Sequence, residues 1–361
     1  MHARVCSLGA LCIALLSPTQ PTLAQRAPSA PQHYIYFGRD RARITEPAFL
    51  TNRAIAGAQL RYTWAELEPE RDRYALRPIV DDIAILASHG KRLFIQIQDV
   101  SFTEMIPVPE YLRRDPVFGG GADRKLESSD EDPSRARFDG WVARRWDPEV
   151  RRRFSKLLDA LGQAVDGRIE GINLAETAIG FENPQFHPPG FSYESYAIGV
   201  KEIMTAARRA FPQSKVIQYA NFMPGGSGSS NNSLDFLRDV YAHAADIGVG
   251  VGGPDVRPFR MAQRANSLPL IAARPAHVIA GMAVQDGNLE DVNPSTRMRV
   301  TVAELYRYAV DPLHLDYLFW GTQEPYYSNE VLPFLRETLK GQTKLRPPAP
   351  SRRTPRAHGR P

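Results

Sequence analysis

The stretch Arg168-Ile-Glu-Gly-Ile-Asn-Leu-Ala-Glu-Thr-Ala-Ile-Gly180 is the most informative part of the sequence for predicting the fold. It is apolar at first and then places Asn173 and Glu176 where a buried strand should stop. The stretch Leu315-Asp-Tyr-Leu-Phe-Trp-Gly-Thr-Gln-Glu-Pro325 has the same pattern and ends in Trp320, Gln323 and Glu324. Acids at the C-terminal ends of several strands are typical of the functional face of a (β/α) barrel. We therefore predict an α/β fold, a single-domain (β/α)8 TIM barrel.

Strand-like and helix-like segments alternate along the rest of the chain. Short apolar segments predict eight strands, at residues 33–37, 56–64, 92–98, 169–174, 215–220, 247–251, 278–284 and 315–320. A 3.6-residue apolar period predicts helices at residues 76–89, 148–165, 193–211, 234–245, 301–309 and 331–339. Eight strands favour a closed barrel over a doubly wound sheet. The missing Gly-x-Gly-x-x-Gly after an early strand also weakens the dinucleotide-binding alternative.

The two ends of the chain differ in composition from its body. Residues 1–24 have the positive start, apolar run and small-residue cleavage site of a secretory signal, which predicts export to the periplasm or the medium. Both cysteines, Cys6 and Cys12, lie inside this signal, so thiolate chemistry and disulfides are excluded from the mature body. Residues 340–361 are rich in Pro and Arg and predict a disordered basic tail. The predicted domain is residues 25–339.

The charge of the chain limits its partners. The net charge of +5 comes from the tail, so the body is mildly acidic and shows no footprint for nucleic acid. The tail could touch an anionic surface, although its composition favours an inert solvated segment. No apolar run after the signal is long enough to span a membrane. The sequence does not determine the oligomeric state.

Several polar groups and aromatic rings lie at predicted strand ends. Trp64 ends the second strand and offers a flat face that can stack on a sugar ring. Amide and phenol groups that suit sugar hydroxyls end other strands, and the predicted binding residues among them are Gln98, Asn173, Tyr219, Asn221 and Gln323. Asp255 follows the sixth strand. Long insertions at residues 100–146 and 181–192 are expected to shape the mouth.

These motifs resemble a known family. The segment Tyr62-x-Trp64-x-x-Leu-Glu-Pro69, followed by Arg73-Tyr74 and by Gly90-Lys-Arg-Leu-Phe-Ile95, is similar to strands two and three of the clan A glycoside hydrolases. That resemblance implies a (β/α)8 barrel that cleaves β-linked glycans with retention. In the clan an adjacent Asn-Glu pair ends strand four and its Glu is the acid/base. Here Leu174 and Ala175 separate Asn173 from Glu176, so the resemblance is divergent.

The second carboxylate is the other point of divergence. The clan has its nucleophilic Glu at the end of strand seven, whereas this strand ends in Gln285 and Asp286. Glu324 after strand eight could replace the missing Glu, and Asp286 could act as a shorter nucleophile or as a base. We rank Glu176 with Glu324 first and Glu176 with Asp286 second. Trp320 matches the aromatic residue that the clan presents on strand eight, and we predict that it stacks on the sugar together with Trp64.

The expected function is glycosidic bond cleavage by two carboxyl groups, one kept protonated and one ionised. The expected partner is a carbohydrate, and neither a metal site nor a cofactor motif is apparent. A non-catalytic carbohydrate-binding barrel is the first alternative, because the two clan motifs are altered. A polysaccharide lyase with Tyr219 or Tyr62 as base is the second.

Overall fold

A computed structural model describes residues 30–129, 132–181, 183–225 and 234–337. The predicted signal and the predicted basic tail lie outside these ranges. In chain order the strands are β1 Gln32–Gly38, β2 Ile55–Thr63, β3 Arg92–Gln98, β4 Ala122–Ser129, β5 Asp132–Ala143, β6 Gly171–Leu174, β7 Lys215–Tyr219, β8 Gly250–Gly253, β9 Ala280–Val284 and β10 Tyr317–Trp320. The parallel strands close in the order β1-β10-β9-β8-β7-β6-β3-β2, which confirms the predicted (β/α)8 barrel.

Helices cover the outside of the barrel and follow the apolar periodicity of the sequence. They are α1 Pro47–Leu50, α2 Trp64–Leu67, α3 Arg77–Ala87, α4 Glu110–Arg114, α5 Pro148–Val165, α6 Tyr193–Ala210, α7 Leu234–Ile247, α8 Met261–Ala265, α9 Ser267–Ala272 and α10 Val302–Val310. The start of α5 is capped by Asp147, whose Oδ1 accepts hydrogen bonds from the backbone N–H groups of Glu149 and Val150. None of the helices in the described ranges is long and apolar enough to cross a membrane.

The barrel interior is apolar and aromatic in its lower half. Side chains alternate across each strand, so every second residue points inward. The inward residues Tyr34, Phe94, Ile217, Tyr219, Ala283, Tyr317 and Phe319 pack as one buried cluster. The ring centroids of Phe94 and Phe319 lie 5.0 Å apart in an edge-to-face arrangement. This cluster fills the barrel interior below the C-terminal ends of the strands.

The insertion after β3 contains an antiparallel hairpin formed by β4 and β5. The sequence gives no apolar alternation there, so we predicted only a long loop. The hairpin is anchored where Val100 bridges Val142, and the backbone N–H of Ser101 donates to the carbonyl of Trp141 at 2.8 Å. Because the hairpin emerges from the C-terminal end of β3, it borders the barrel mouth.

Candidate active site

A cavity of about 250 Å³ opens at the C-terminal ends of the barrel strands. Its floor is formed by the tyrosine ring of β7, and its walls come from the ends of β2, β3, β6, β8 and β9. The residues that line it are Arg61, Gln96, Gln98, Val100, Phe102, Ala175, Glu176, Tyr219, Pro254 and Gln285. This is the face on which (β/α)8 enzymes carry their active sites.

Glu176 lies two residues beyond β6, on a segment whose backbone is held from three sides. The side-chain amide of Gln218 donates to the carbonyl of Ala175 at 2.8 Å. The guanidinium of Arg145 donates to the carbonyl of Glu176 itself, also at 2.8 Å. The hydroxyl of Thr177 donates to the carbonyl of Phe222 at 2.6 Å. Although Leu174 and Ala175 separate Asn173 from Glu176, these contacts hold the Glu176 carboxyl group at the cavity wall.

The surroundings of Glu176 favour its protonated form. Burial raises the pKa of the Glu176 carboxyl above its usual value, and the negative charge of Asp255 acts in the same direction. Three groups oppose this shift by favouring the ionised form. They are the Nδ2 of Asn221, which donates to Oε2 of Glu176 at 2.6 Å, and the positive charges of Lys125 and Arg61. A carboxyl group with a raised pKa can serve as a general acid near neutral pH.

Asp255 is a second partly buried carboxyl group beside the cavity. Burial raises its pKa, and the opposing effects come from a hydrogen bond with Asn288 and from the charges of Arg257 and Arg260. The Nδ2 of Asn288 donates to Oδ1 of Asp255 at 2.7 Å. Sequence reasoning noted Asp255 only as a polar strand-end residue. Its position one residue after the cavity-lining Pro254 is the signal that identifies it.

The other two predicted acids lie in different environments. Asp286 is exposed at the rim. Burial raises the pKa of Tyr36, and the negative charges of Asp286 and Glu176 act in the same direction. Glu324 is also exposed, but its carboxylate accepts hydrogen bonds from the backbone and the hydroxyl of Ser328. Asp286 and Glu176 therefore share Tyr36 as a neighbour, whereas Glu324 contacts the helical segment that follows it.

Both predicted stacking tryptophans lie in the core, which is a correction to the sequence analysis. Trp64 starts α2, is fully buried against Phe154, and donates its indole N–H to Glu68 at 2.8 Å. Trp320 is fully buried and donates to Nδ1 of His33 at 3.2 Å. Neither ring has a free face for a sugar, because each lies between the barrel wall and its outer layer.

An exposed aromatic ring does border the cavity, but it comes from the insertion. Phe102 lines the cavity and is 48% exposed. The Nζ of Lys125, from β4, lies 3.5 Å from the centroid of this ring and 3.1 Å from a carboxylate oxygen of Asp139. Sequence reasoning missed Phe102 and Lys125 because the insertion showed no strand pattern that would have oriented them.

The predicted amide and phenol residues divide into two groups. Gln98, Tyr219 and Asn221 lie at the cavity, and Asn173 lies directly below it. The Nε2 of Gln59 donates both to Oδ1 of Asn173 at 2.9 Å and to the hydroxyl of Tyr219 at 3.1 Å, which fixes this layer. Gln323 instead accepts from Gly287 and donates to Glu290, so it ties the loops after β9 and β10 together.

The environments of the two candidate tyrosine bases do not suit proton abstraction. Burial raises the pKa of Tyr219, which makes its hydroxyl a poor base near neutral pH. Tyr62 lies outside the cavity, where its hydroxyl donates to Asp82 at 2.6 Å in contact with α3. In the described ranges no group of three or more His, Asp or Glu side chains is placed to hold a metal ion.

Comparison with known proteins supports the fold assignment. No protein-family model and no curated protein sequence matches this chain. Among solved structures, the catalytic domain of the β-amylase from Paenibacillus polymyxa matches with a TM-score of 0.55 at 8% identity, over 81% of this chain and 93% of that one. GH5_18 from Streptomyces cattleya, in complex with GlcNAc, matches with a TM-score of 0.54 at 13% identity, over 89% and 82%.

A third structure belongs to the same group of folds. Xylanase 10B from Thermotoga petrophila RKU-1, in complex with xylobiose, matches with a TM-score of 0.51 at 10% identity, over 86% of this chain and 94% of that one. The predicted resemblance to the clan A glycoside hydrolase barrels is therefore confirmed at the level of the fold. At these identities the likeness concerns the fold alone.

Proposed function

We propose that this chain is an exported glycoside hydrolase that cleaves a glycosidic bond in a poly- or oligosaccharide, with Glu176 as the general acid. One observation carries the proposal: a carboxyl group with a raised pKa lies on the wall of a polar cavity at the end of strand four of the barrel. In this role Glu176 donates its proton to the glycosidic oxygen while the bond from that oxygen to the anomeric carbon breaks.

We infer that Asp255 supplies the second carboxylate of the reaction. Its charge acts directly on Glu176, and it is partly buried beside the cavity wall. Burial raises the pKa of Asp255, and the hydrogen bond from Asn288 and the positive charges of Arg257 and Arg260 oppose that shift. The proposal requires Asp255 to be ionised while Glu176 holds its proton. Ionised Asp255 stabilises the positive charge that develops on the sugar, either as a nucleophile or as the base that activates water.

Asp286 is the second candidate for that role, because it follows the seventh strand and its charge acts on Tyr36 together with that of Glu176. Glu324 is the least suited, because its carboxylate is exposed and bound to Ser328. A carboxyl separation of roughly 5–5.5 Å gives retention and one of roughly 6.5–9.5 Å gives inversion. The anomeric configuration of the first product therefore distinguishes the two mechanisms.

The test is product release from a panel of polysaccharides and oligosaccharides. We expect wild type and Glu324→Gln to release reducing sugar, and Glu176→Gln to lose turnover while it still binds the glycan. Loss of turnover in Asp255→Asn but not in Asp286→Asn supports Asp255 as the partner, and the reverse result supports Asp286. If no glycan is cleaved but one binds equally to wild type and Glu176→Gln, the chain is a binding barrel and the catalytic proposal is wrong.

A further inference from the structure

Among the described residues that line the cavity, Arg61 carries the one permanent charge, and no described acidic side chain forms an ion pair with it. This residue is on β2, two residues after the inward-pointing Gln59, so it continues the same inward row up to the mouth. Its Nε donates to Oε1 of Gln96 at 3.0 Å, and its guanidinium carbon lies 5.2 Å from the centroid of the Tyr36 ring. These two contacts fix the plane of the guanidinium.

Other arginines near the mouth have carboxylate partners. Arg145 pairs with Asp99 at 2.6 Å, Arg257 pairs with Asp291, and Arg39 pairs with Glu66. Within the described part of the chain, Arg61 forms no ion pair, and no protein acceptor is found for its two terminal nitrogens. A half-buried guanidinium has a cost in desolvation that an anionic partner would offset.

The protonation state of Glu176 makes this positive charge more important. In the described lining of the cavity, Arg61 and Glu176 are the ionisable residues apart from Tyr219. When Glu176 holds the proton that a general acid needs, the charge on this lining is the positive charge of Arg61. Lys125 is a nearby second cation, but Asp139 already neutralises it.

We propose that Arg61 recognises a carboxylate on the sugar, so that the substrate class is a glycan that contains a uronic acid. The terminal nitrogens of an arginine match the two oxygens of a carboxylate in a planar, paired geometry. Gln96 and Tyr36 orient the guanidinium for that contact, and Phe102 offers an apolar surface to the sugar ring. This inference rests on the proposed function in requiring that the ligand is a sugar and that Glu176 is uncharged when the ligand binds.

The test measures binding without turnover. The Glu176→Gln protein is titrated by calorimetry with an oligosaccharide that contains glucuronate and with the matched neutral oligosaccharide that contains glucose. We expect the acidic sugar to bind at least about tenfold more tightly, as charge-assisted hydrogen bonds allow. The preference should vanish in a protein that also carries Arg61→Met. It should persist with Arg39→Gln, which removes a positive charge from the barrel face outside the cavity.

Three outcomes would overturn the inference: equal binding of the two sugars, no binding of either, or a preference that survives Arg61→Met. A sulfated neutral sugar forms a third arm of the titration. If the sulfated sugar binds more tightly than the glucuronate sugar, the site recognises sulfate instead of carboxylate, and the inference is overturned. The hydrolase proposal is tested separately. If wild type binds the uronate glycan through Arg61 but releases no reducing sugar, recognition stands and hydrolysis fails. Because β-elimination also frees a reducing end, reducing sugar that appears together with a new double bond absorbing near the ultraviolet edge would identify a lyase, and hydrolysis would again fail while recognition stands.

Discussion

The buried ion pair between Arg145 and Asp99 should control both the stability of the fold and the position of Glu176. The guanidinium of Arg145 donates to both Asp99 oxygens, at 2.7 and 2.6 Å, and to the carbonyl of Glu176 at 2.8 Å. The side chains of the pair are 5% and 3% exposed. Apolar side chains surround the pair, and they include Phe154, Leu174, Val200 and Ile203.

The substitution Arg145→Met leaves the Asp99 charge buried and uncompensated. Breaking such a pair from one side costs about 3–5 kcal/mol, and the lost hydrogen bond to Glu176 adds about 1 kcal/mol. We therefore expect the free energy of unfolding to fall by about 4–6 kcal/mol, a large part of the stability of an ordinary domain. Urea denaturation, followed by circular dichroism, measures this loss.

Two further variants make this prediction decisive. Replacing both partners, Arg145→Met with Asp99→Leu, removes the stranded charge and should restore most of the lost stability. Glu202→Gln breaks the partly exposed pair with Arg151, whose atoms are 2.7 Å apart, and should cost no more than about 1 kcal/mol. If Arg145→Met costs as little as Glu202→Gln, or if the double variant is no more stable than Arg145→Met, the account of this pair is wrong.

Three other predictions concern the cavity. Asn221→Ala removes a hydrogen bond that lowers the pKa of Glu176, so the basic limb of the pH profile of kcat/KM should move to higher pH. Phe102→Ala removes the exposed ring at the rim and should raise KM roughly five- to tenfold with kcat little changed, as measured by initial rates. Because burial raises the pKa of Glu176, the folded state binds its proton more tightly than the unfolded state, and this contribution to stability is lost as pH rises through the folded pKa. The stability of Glu176→Gln relative to wild type should therefore be greater at about pH 7 than at about pH 4, as measured by urea midpoints at each pH.

The barrel could be predicted because its strands are short, apolar and separated by amphipathic helices. β3 and α5 have the predicted bounds, and their ends are marked by local chemistry such as the cap at Asp147. The sixth barrel strand begins later than predicted. The apolar sequence around Ile247 is equally suited to the end of a helix. In the structure α7 continues to Ile247, and Gly248, with a φ of +69°, ends the helix.

The polar hairpin could not be predicted from its sequence. β4 reads Ala-Asp-Arg-Lys-Leu-Glu-Ser-Ser, which has no alternation of apolar and polar residues. Such a hairpin is defined by its pairing and by its attachment at Val100, which are tertiary contacts. The sequence therefore could not predict that the hairpin brings residues such as Lys125 to the mouth.

The candidate site was predicted in part, and the errors share one cause. A position at the end of a strand shows at which end of the barrel a residue lies. It does not show whether the side chain points into the barrel or toward the outer helices. Phe319 belongs to the interior cluster, so its neighbour Trp320 must face outward. The same alternation, counted from Gln59, would have placed Arg61 at the mouth.

The proposed hydrolysis depends on Glu176 as the general acid, and this role predicts how the rate depends on the leaving group. Glu176→Gln and wild type are compared on two aryl glycosides, one with a dinitrophenyl leaving group and one with an unactivated phenyl group. Because only the phenyl group needs a proton to depart, the rate of the variant on the phenyl glycoside should be roughly 10²- to 10⁴-fold lower than that of wild type. Its rate on the dinitrophenyl glycoside should fall far less. An equal loss on both glycosides, or no loss on either, would contradict the assignment of Glu176 as the acid.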